Sequence, residues 1–153
     1  MNKILYRAKS TKTNEWVYGL PINIADKITF LRTETNEEII VDTKTLSQMV
    51  YYNKFIIFDS EIEFKLFEGD IIQVTINTDN PDGWISTLYE KYLCRWNEDF
   101  LSFTFYYIDD KEGLLSTYET WDWVEIQERG YVALIGNMWD NADLLRKGSV
   151  KND

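Results

Sequence analysis

The side chains best equipped for chemistry in this sequence are carboxylates. Glu68 and Asp70 flank Gly69, and Glu61 and Glu63 stand two apart, which puts them on one face of a strand. Two carboxyl groups across a glycosidic bond can serve as acid and nucleophile or base. In a chain with 26 Asp and Glu against 16 Lys and Arg, such pairs also arise on any solvated surface, and that reading is preferred. Asp79-Asn80-Pro81-Asp82-Gly83 offers oxygen ligands but lacks the spaced series ending in Glu that a calcium loop needs, so a plain Asx/Pro turn is expected. There is no histidine, which removes Ser-His and Cys-His dyads and the commonest metal ligand. The one cysteine, Cys94, admits no internal disulfide and no cysteine-rich metal site. It reads as a buried, inert thiol in a reducing compartment. Neither a P-loop nor a Gly-x-Gly-x-x-Gly motif occurs. The expectation is a non-enzymatic protein with no catalytic residues, no cofactor and no metal.

Charge and aromatic content then point to partners. The net charge of -10 exceeds the magnitude of about 2–8 that solubility asks of a small domain. An acidic surface repels phosphate backbones. Asp109, Asp110, Glu112, Glu119, Asp122, Glu125 and Glu128 surround Trp121 and Trp123 in sequence. Aromatic anchors in an acidic rim suit a protein-docking face, with Trp121, Trp123, Asp122, Glu119 and Glu125 as its core and a basic protein as partner. The alternative is a small nucleic-acid- or nucleotide-binding barrel. It would need Lys3, Arg7, Lys9, Lys12, Lys91 and Arg95 to converge beside exposed aromatics. No apolar stretch is long enough to span a membrane, and Met1–Arg7 lacks the apolar core of a signal peptide. A cytoplasmic location is expected, and a homo-oligomer is compatible with all of this.

The elements that must position these groups are strands. A share of 16% aromatic and 44% hydrophobic residues excludes disorder and favours sheet. Ile4–Ala8 and Trp16–Tyr18, stopping at Gly19, read as one hairpin; Ile28–Arg32 and Ile39–Val41, turning at Thr35-Asn36, read as a second. Leu46, Met49 and Val50 have the spacing of a helical turn, with Asp42 as its cap, and the stretch reads as a short helical turn or a loop that delivers this apolar face to the core. Phe55-Ile56-Ile57-Phe58 is an apolar run too short for a helix, Ile62–Leu66 alternates, and Ile71–Ile76 is β-branched after a tight turn at Gly69 with φ > 0. Trp84–Trp96 is largely aromatic and apolar. Phe100–Ile108 reads as a long strand, Tyr118–Glu128 as strand or loop, and Tyr131–Ile135 as the last strand, closed by Gly136-Asn137. Asn141–Lys147 reads as a short helix capped by Asn141, and the tail beyond Gly148 as frayed. The sum is a mainly β barrel or sandwich with a short C-terminal helix. A single domain over 1–153 is expected, with an N-terminal β part over about 1–66 and a barrel part over about 67–140.

Three segments in order resemble the YopX family of phage and prophage proteins. Tyr6-Arg7-Ala8 followed by Trp16-Val17-Tyr18-Gly19 is similar to the family's opening. Val41-Asp42-Thr43-Lys44-Thr45-Leu46-Ser47-Gln48, leading into Phe67-Glu68-Gly69-Asp70-Ile71-Ile72, is similar to its middle. Ile135-Gly136-Asn137-Met138-Trp139-Asp140-Asn141-Ala142-Asp143-Leu144-Leu145 is similar to its end. Lys9 departs from the aromatic residue usual after Arg-Ala, and Phe55–Leu66 replaces a polar turn with an apolar stretch. The resemblance implies a mainly β fold with a barrel and a phage-derived accessory role. It brings no catalytic residues; Gly69, Asp70, Gly136 and Asn137 are read as structural turns.

Overall fold

The computed structural model of the chain describes residues 5–25, 28–114 and 120–146. Lys3, Ile4, Tyr118, Glu119, Lys147 and the tail beyond Gly148, all named above, lie outside the described residues. The chain is mainly β, with two antiparallel sheets and one short α-helix. It divides into two units, Met1–Glu68 and Gly69–Asp153.

In the first unit, β1 (Tyr6–Lys9) and β2 (Trp16–Ala25) form the expected hairpin, with Ala8 opposite Val17. β2 does not stop at Gly19. It runs on to pair with β3 (Ile28–Arg32), because a residue without a β-carbon can pass directly against the Arg32 carbonyl. β4 (Glu38–Val41) pairs with β3 as the second hairpin. A bridge between Ser10 and Val41, with the Asp42 amide donating to the Lys9 carbonyl at 2.8 Å, returns β4 to the end of β1. The four strands therefore curl round on themselves. Ala8, Leu31 and Val41 are buried inside, with Tyr6, Val17, Ile39 and Leu46 packed on them.

Asp42 caps a short 3-10 turn, Thr43–Thr45, by accepting from the Lys44 amide. The helical spacing of Leu46, Met49 and Val50 is overturned. β5 (Ser47–Ile57) starts at once, and its first residues pair with Tyr6 and Arg7. One turn of helix gains too few hydrogen bonds to compete with a waiting strand edge. β6 (Ser60–Phe67) returns after Phe58 and Asp59, which both hold positive φ. That is the backbone of a two-residue hairpin turn. The sheet order is β4-β3-β2-β1-β5-β6.

In the second unit, β7 (Asp70–Asp79), β8 (Ile85–Asn97) and β9 (Ser102–Asp109) form an antiparallel meander extended by β10 (Gly113–Leu114). β11 (Thr120–Trp121) also pairs with β9, and β12 (Tyr131–Asn137) pairs with β7. Alternation gives the meander two buried sides. On one, Ile71, Leu93 and Ile108 lie under Ile135, Met138, Leu144 and Leu145. Ile72, Val74, Tyr92, Cys94 and Phe105 are buried too, and a helix, α1 (Trp123–Arg129), packs on β7, β9 and β12. Cys94 is the buried thiol expected. Gly69 holds φ +89, and Ile71, Ile72 and Val74 enter the core behind it, as their β-branched run implied.

Three further boundaries differ from the sequence reading. Phe100 and Leu101 lie in the turn before β9, with Leu101 at positive φ. Tyr118–Glu128 is not strand throughout: α1 begins at Trp123, because Asp122 accepts from the Glu125 amide while the Glu125 carboxylate accepts from the Asp122 amide. This reciprocal capping box satisfies two amides that a helix start leaves open. The segment after Asn141 is a 3-10 turn, Ala142–Leu145, without a side-chain cap. The Asn141 side chain accepts instead from the Asn137 amide at 3.0 Å. Asn137 Oδ1 in turn accepts from the Trp139 and Asp140 amides. Gly136 and Asn137 thus end β12 in a tightly bonded turn.

Candidate functional surfaces

Most groups of the acidic-aromatic segment are occupied in local structure. Asp122 and Glu125 hold the start of α1. Trp123 packs on Phe105 with ring centres 5.5 Å apart. Trp121 lies under the Arg129 guanidinium, 4.5 Å from ring centre to Cζ. Asp109 accepts from the Lys111 and Glu112 amides and closes the turn after β9, and Asp110 pairs with Lys91 at 2.6 Å. Glu112 and Glu128 are exposed, and Glu119 lies outside the described residues.

Beneath α1 stands a polar cluster that the sequence did not announce. One oxygen of Glu90, Oε1, accepts from the Tyr92 hydroxyl at 2.8 Å and from Arg129 Nε and Nη2 at 3.0 and 2.5 Å. Burial, then the hydrogen bond to Glu90, pushes the Tyr92 phenol well above its usual range. Burial works against the Arg129 charge, but the bond to Glu90 and the neighbouring phenol raise it overall. A phenol held neutral and a guanidinium held charged by one carboxylate fix α1 to β8. Neither the phenol nor the guanidinium is set up to exchange a proton near neutral pH. Glu90 and Tyr92 are two apart on one strand face, but Arg129 reaches them only because α1 crosses that face. That is why spacing alone could not find the cluster.

The first unit stacks cations on rings. Arg7, only 6% exposed, places Cζ 4.4 Å from the Trp16 ring centre and 4.7 Å from that of Phe67. Phe67 packs on Tyr18 at 5.7 Å, with Lys65 beyond Tyr18 and Lys9 beyond Trp16. In the row Lys9–Trp16–Arg7–Phe67–Tyr18–Lys65 every cation lies against a ring, and the Phe67–Tyr18 ring pair bridges the last two cations, a mutually attractive order. It takes up Arg7 and Lys9, two of the bases on which a nucleic-acid site would draw. In the second unit, Lys91 is paired with Asp110, and Arg95 donates to the Met138 sulfur at 3.1 Å.

An open apolar surface lies on the β5–β6 hairpin. Phe55-Ile56-Ile57-Phe58 forms strand and turn as its length implied, yet these side chains are exposed, up to 98% at Phe58. The register places Phe55 opposite Ile62 and Ile56 opposite Glu61. By alternation one face carries Phe55, Ile57 and Ile62, continuing to Phe64 and Tyr51, whose rings touch at 6.1 Å. The other carries the charges. Lys54 pairs with Glu61 at 2.6 Å, and Lys65 with Glu63 at 3.4 Å. A bond from the Tyr52 hydroxyl, then one from Lys65, holds the Glu63 carboxyl below the ordinary range, while Glu61 holds Lys54 above it. Glu61 and Glu63 do share a strand face, as their spacing required, and both are neutralised by lysines. Gly69 and Asp70 lie at the start of β7, where Asp70 is buried.

Among the described residues no group of three or more His, Cys, Asp or Glu side chains is placed to hold a metal ion, and no helix is long and apolar enough to cross a membrane. No protein-family model, no curated protein and no solved structure matches the chain.

Proposed function

We propose that this protein is a non-enzymatic docking module, a cytoplasmic accessory protein of the YopX kind, that works by binding another protein surface. The observation that carries this reading is the exposed apolar hairpin. Phe55, Ile57 and Ile62 on one face, Ile56 on the other and Phe58 at the turn stand in solvent on one hairpin, whose two lysines are paired with Glu61 and Glu63. Contiguous exposed apolar groups of this kind mark interaction sites in soluble proteins. The acidic-aromatic segment lends less support, since Asp122 and Glu125 cap a helix and Trp121 and Trp123 are stacked. Nucleic-acid binding has less support still, because Arg7 is buried between two rings and Lys91 is ion-paired.

The test is affinity capture with the intact protein and with Phe58→Asn. Asparagine tolerates the positive φ at this position, so the turn survives while the apolar tip is lost. A protein retained by the native chain and lost with Phe58→Asn supports the reading. Salt-sensitive retention of nucleic acid, equal for both, overturns it.

A further inference from the structure

The net charge is unevenly divided along the chain. Gly69–Asp153 holds 16 side-chain carboxylates against seven bases, a net of -9, whereas Met1–Glu68 holds ten against nine, a net of -1. Within the acidic unit β12 ends the sheet order β10-β9-β8-β7-β12, and among the described residues no strand pairs with its outer side. An edge strand turns the N–H and C=O of alternate residues away from its one partner, which leaves a template for another strand. Folded proteins blunt such edges with charge, shortness or cover. β6 carries Glu61, Glu63 and Lys65, β4 is short and bridged to Ser10, and β10 has only two residues. β12 has neither charge nor proline over its seven residues, Tyr131–Asn137. Its bulge lies between Leu134 and Gly136, so the stretch from Tyr131 to Leu134 keeps regular register with β7. By alternation Tyr131 and Ala133 lie on one side of that stretch and Leu134 on the other, and all three are exposed.

We infer that β12 is a docking edge for an extended, basic peptide segment, which joins the second sheet as an added strand. The open backbone selects the conformation, because only an extended chain repeats its donors and acceptors at the spacing that a strand offers. The charge selects the composition: a unit of net -9 repels an acidic segment and draws a basic one. Exposed carboxylates bracket the strand, Glu128 in α1 just before it and Asp143 shortly after it. Side chains of the added strand alternate between the side of Tyr131 and Ala133 and the side of Val132 and Leu134. A segment that alternates apolar and basic residues therefore meets one of these uncharged rows with its apolar side. Pairing is limited to the stretch before the bulge, so the complex leans on charge and loosens as salt rises. This edge belongs to a different unit from the β5–β6 hairpin, and the inference stands independently of the docking reading of that hairpin.

The experiment is a titration of the full chain, followed by amide NMR shifts and hydrogen exchange, with a synthetic peptide of alternating lysine and valine matched to the seven residues of β12. Two control peptides accompany it. One replaces each lysine by glutamate. The other is N-methylated at every backbone amide, which keeps charge and side chains but removes the donors. The expected result is that the lysine peptide alone binds, and less tightly as salt rises. Its shifts centre on the stretch from Tyr131 to Leu134, where alternate amides become slower to exchange. Ala133→Lys places a repelling charge on the edge at an exposed position and should weaken binding by about tenfold or more; circular dichroism checks that it folds. Phe58→Asn should leave peptide binding unchanged, which separates this edge from the β5–β6 hairpin. No binding up to about 1 mM peptide overturns the inference. So does equal binding of the methylated peptide, which would make charge alone responsible, or of the glutamate peptide. Shifts centred away from β12, or a folded Ala133→Lys variant that binds as the native chain does, overturn it too.

Discussion

A β-carbon placed on Gly69 would run into the indole ring of Trp139. The glycine also holds φ +89, its amide donates to the Cys94 carbonyl at 2.7 Å, and its carbonyl accepts from the Met138 amide at 2.8 Å. The turn at Gly69 and the segment that follows β12 thus meet at one packed junction. Their residue types are accounted for by packing and turn geometry.

Gly69→Val should destabilise the protein by roughly 1–3 kcal/mol from backbone strain, with a further loss from the clash. Gly83 provides the control: it has φ +81 but open space around it. Chemical denaturation should show Gly69→Ala costing clearly more than Gly83→Ala. Equal losses would leave strain as the whole explanation and remove Trp139 from it.

Arg7→Lys keeps the charge and loses the flat guanidinium that lies between Trp16 and Phe67. A loss of about 1–2 kcal/mol is expected from the two ring contacts. An unchanged melting temperature would show that charge alone, not stacking, is what the position requires.

Glu90→Ala leaves the Tyr92 hydroxyl and the Arg129 guanidinium without their shared acceptor, and should cost about 2–4 kcal/mol. Glu90→Ala combined with Arg129→Ala should cost less than the two single losses together, since the second change removes a charge already stranded. Strict additivity in a double-mutant cycle would show the pair to be energetically independent.

The Tyr92 phenol is pushed up by burial and by its bond to Glu90. A folded-state value above the unfolded one contributes stability that is complete below the unfolded value, about 10. It is lost as pH rises beyond that. An ultraviolet titration should therefore show a late step in which Tyr92 ionises. Tyr92→Phe should remove the late step. A wild-type titration complete with the ordinary tyrosines would contradict the buried bond.

Asp122→Ala should cost about 0.5–2 kcal/mol, the ordinary worth of a helix cap. Chemical denaturation of the variant beside the native chain checks this, and an unchanged midpoint would remove the cap from the account.

The sequence by itself determined the class of fold and most of its strands. Alternation and β-branched runs are local signals, so Tyr6–Ala8, Ile28–Arg32, Ile71–Ile76 and Tyr131–Ile135 could be read where they stand. The turn at Gly69 was legible for the same reason: a glycine between acids before an apolar run leaves few other backbones. The Asp122–Glu125 capping box was also written in the chain, as Asp-x-x-Glu, though the neighbouring tryptophans suggested strand. Tertiary structure decided the rest. Whether Phe55–Phe58 is core or surface depends on what lies against it, and periodicity cannot report that; only the pairing with β6 shows one face apolar and open. Arg7 reads as a surface base until Phe67, sixty residues away in sequence, closes over it. Glu90, Tyr92 and Arg129 become one cluster because α1 crosses β8, a relation that no spacing in a single strand can encode.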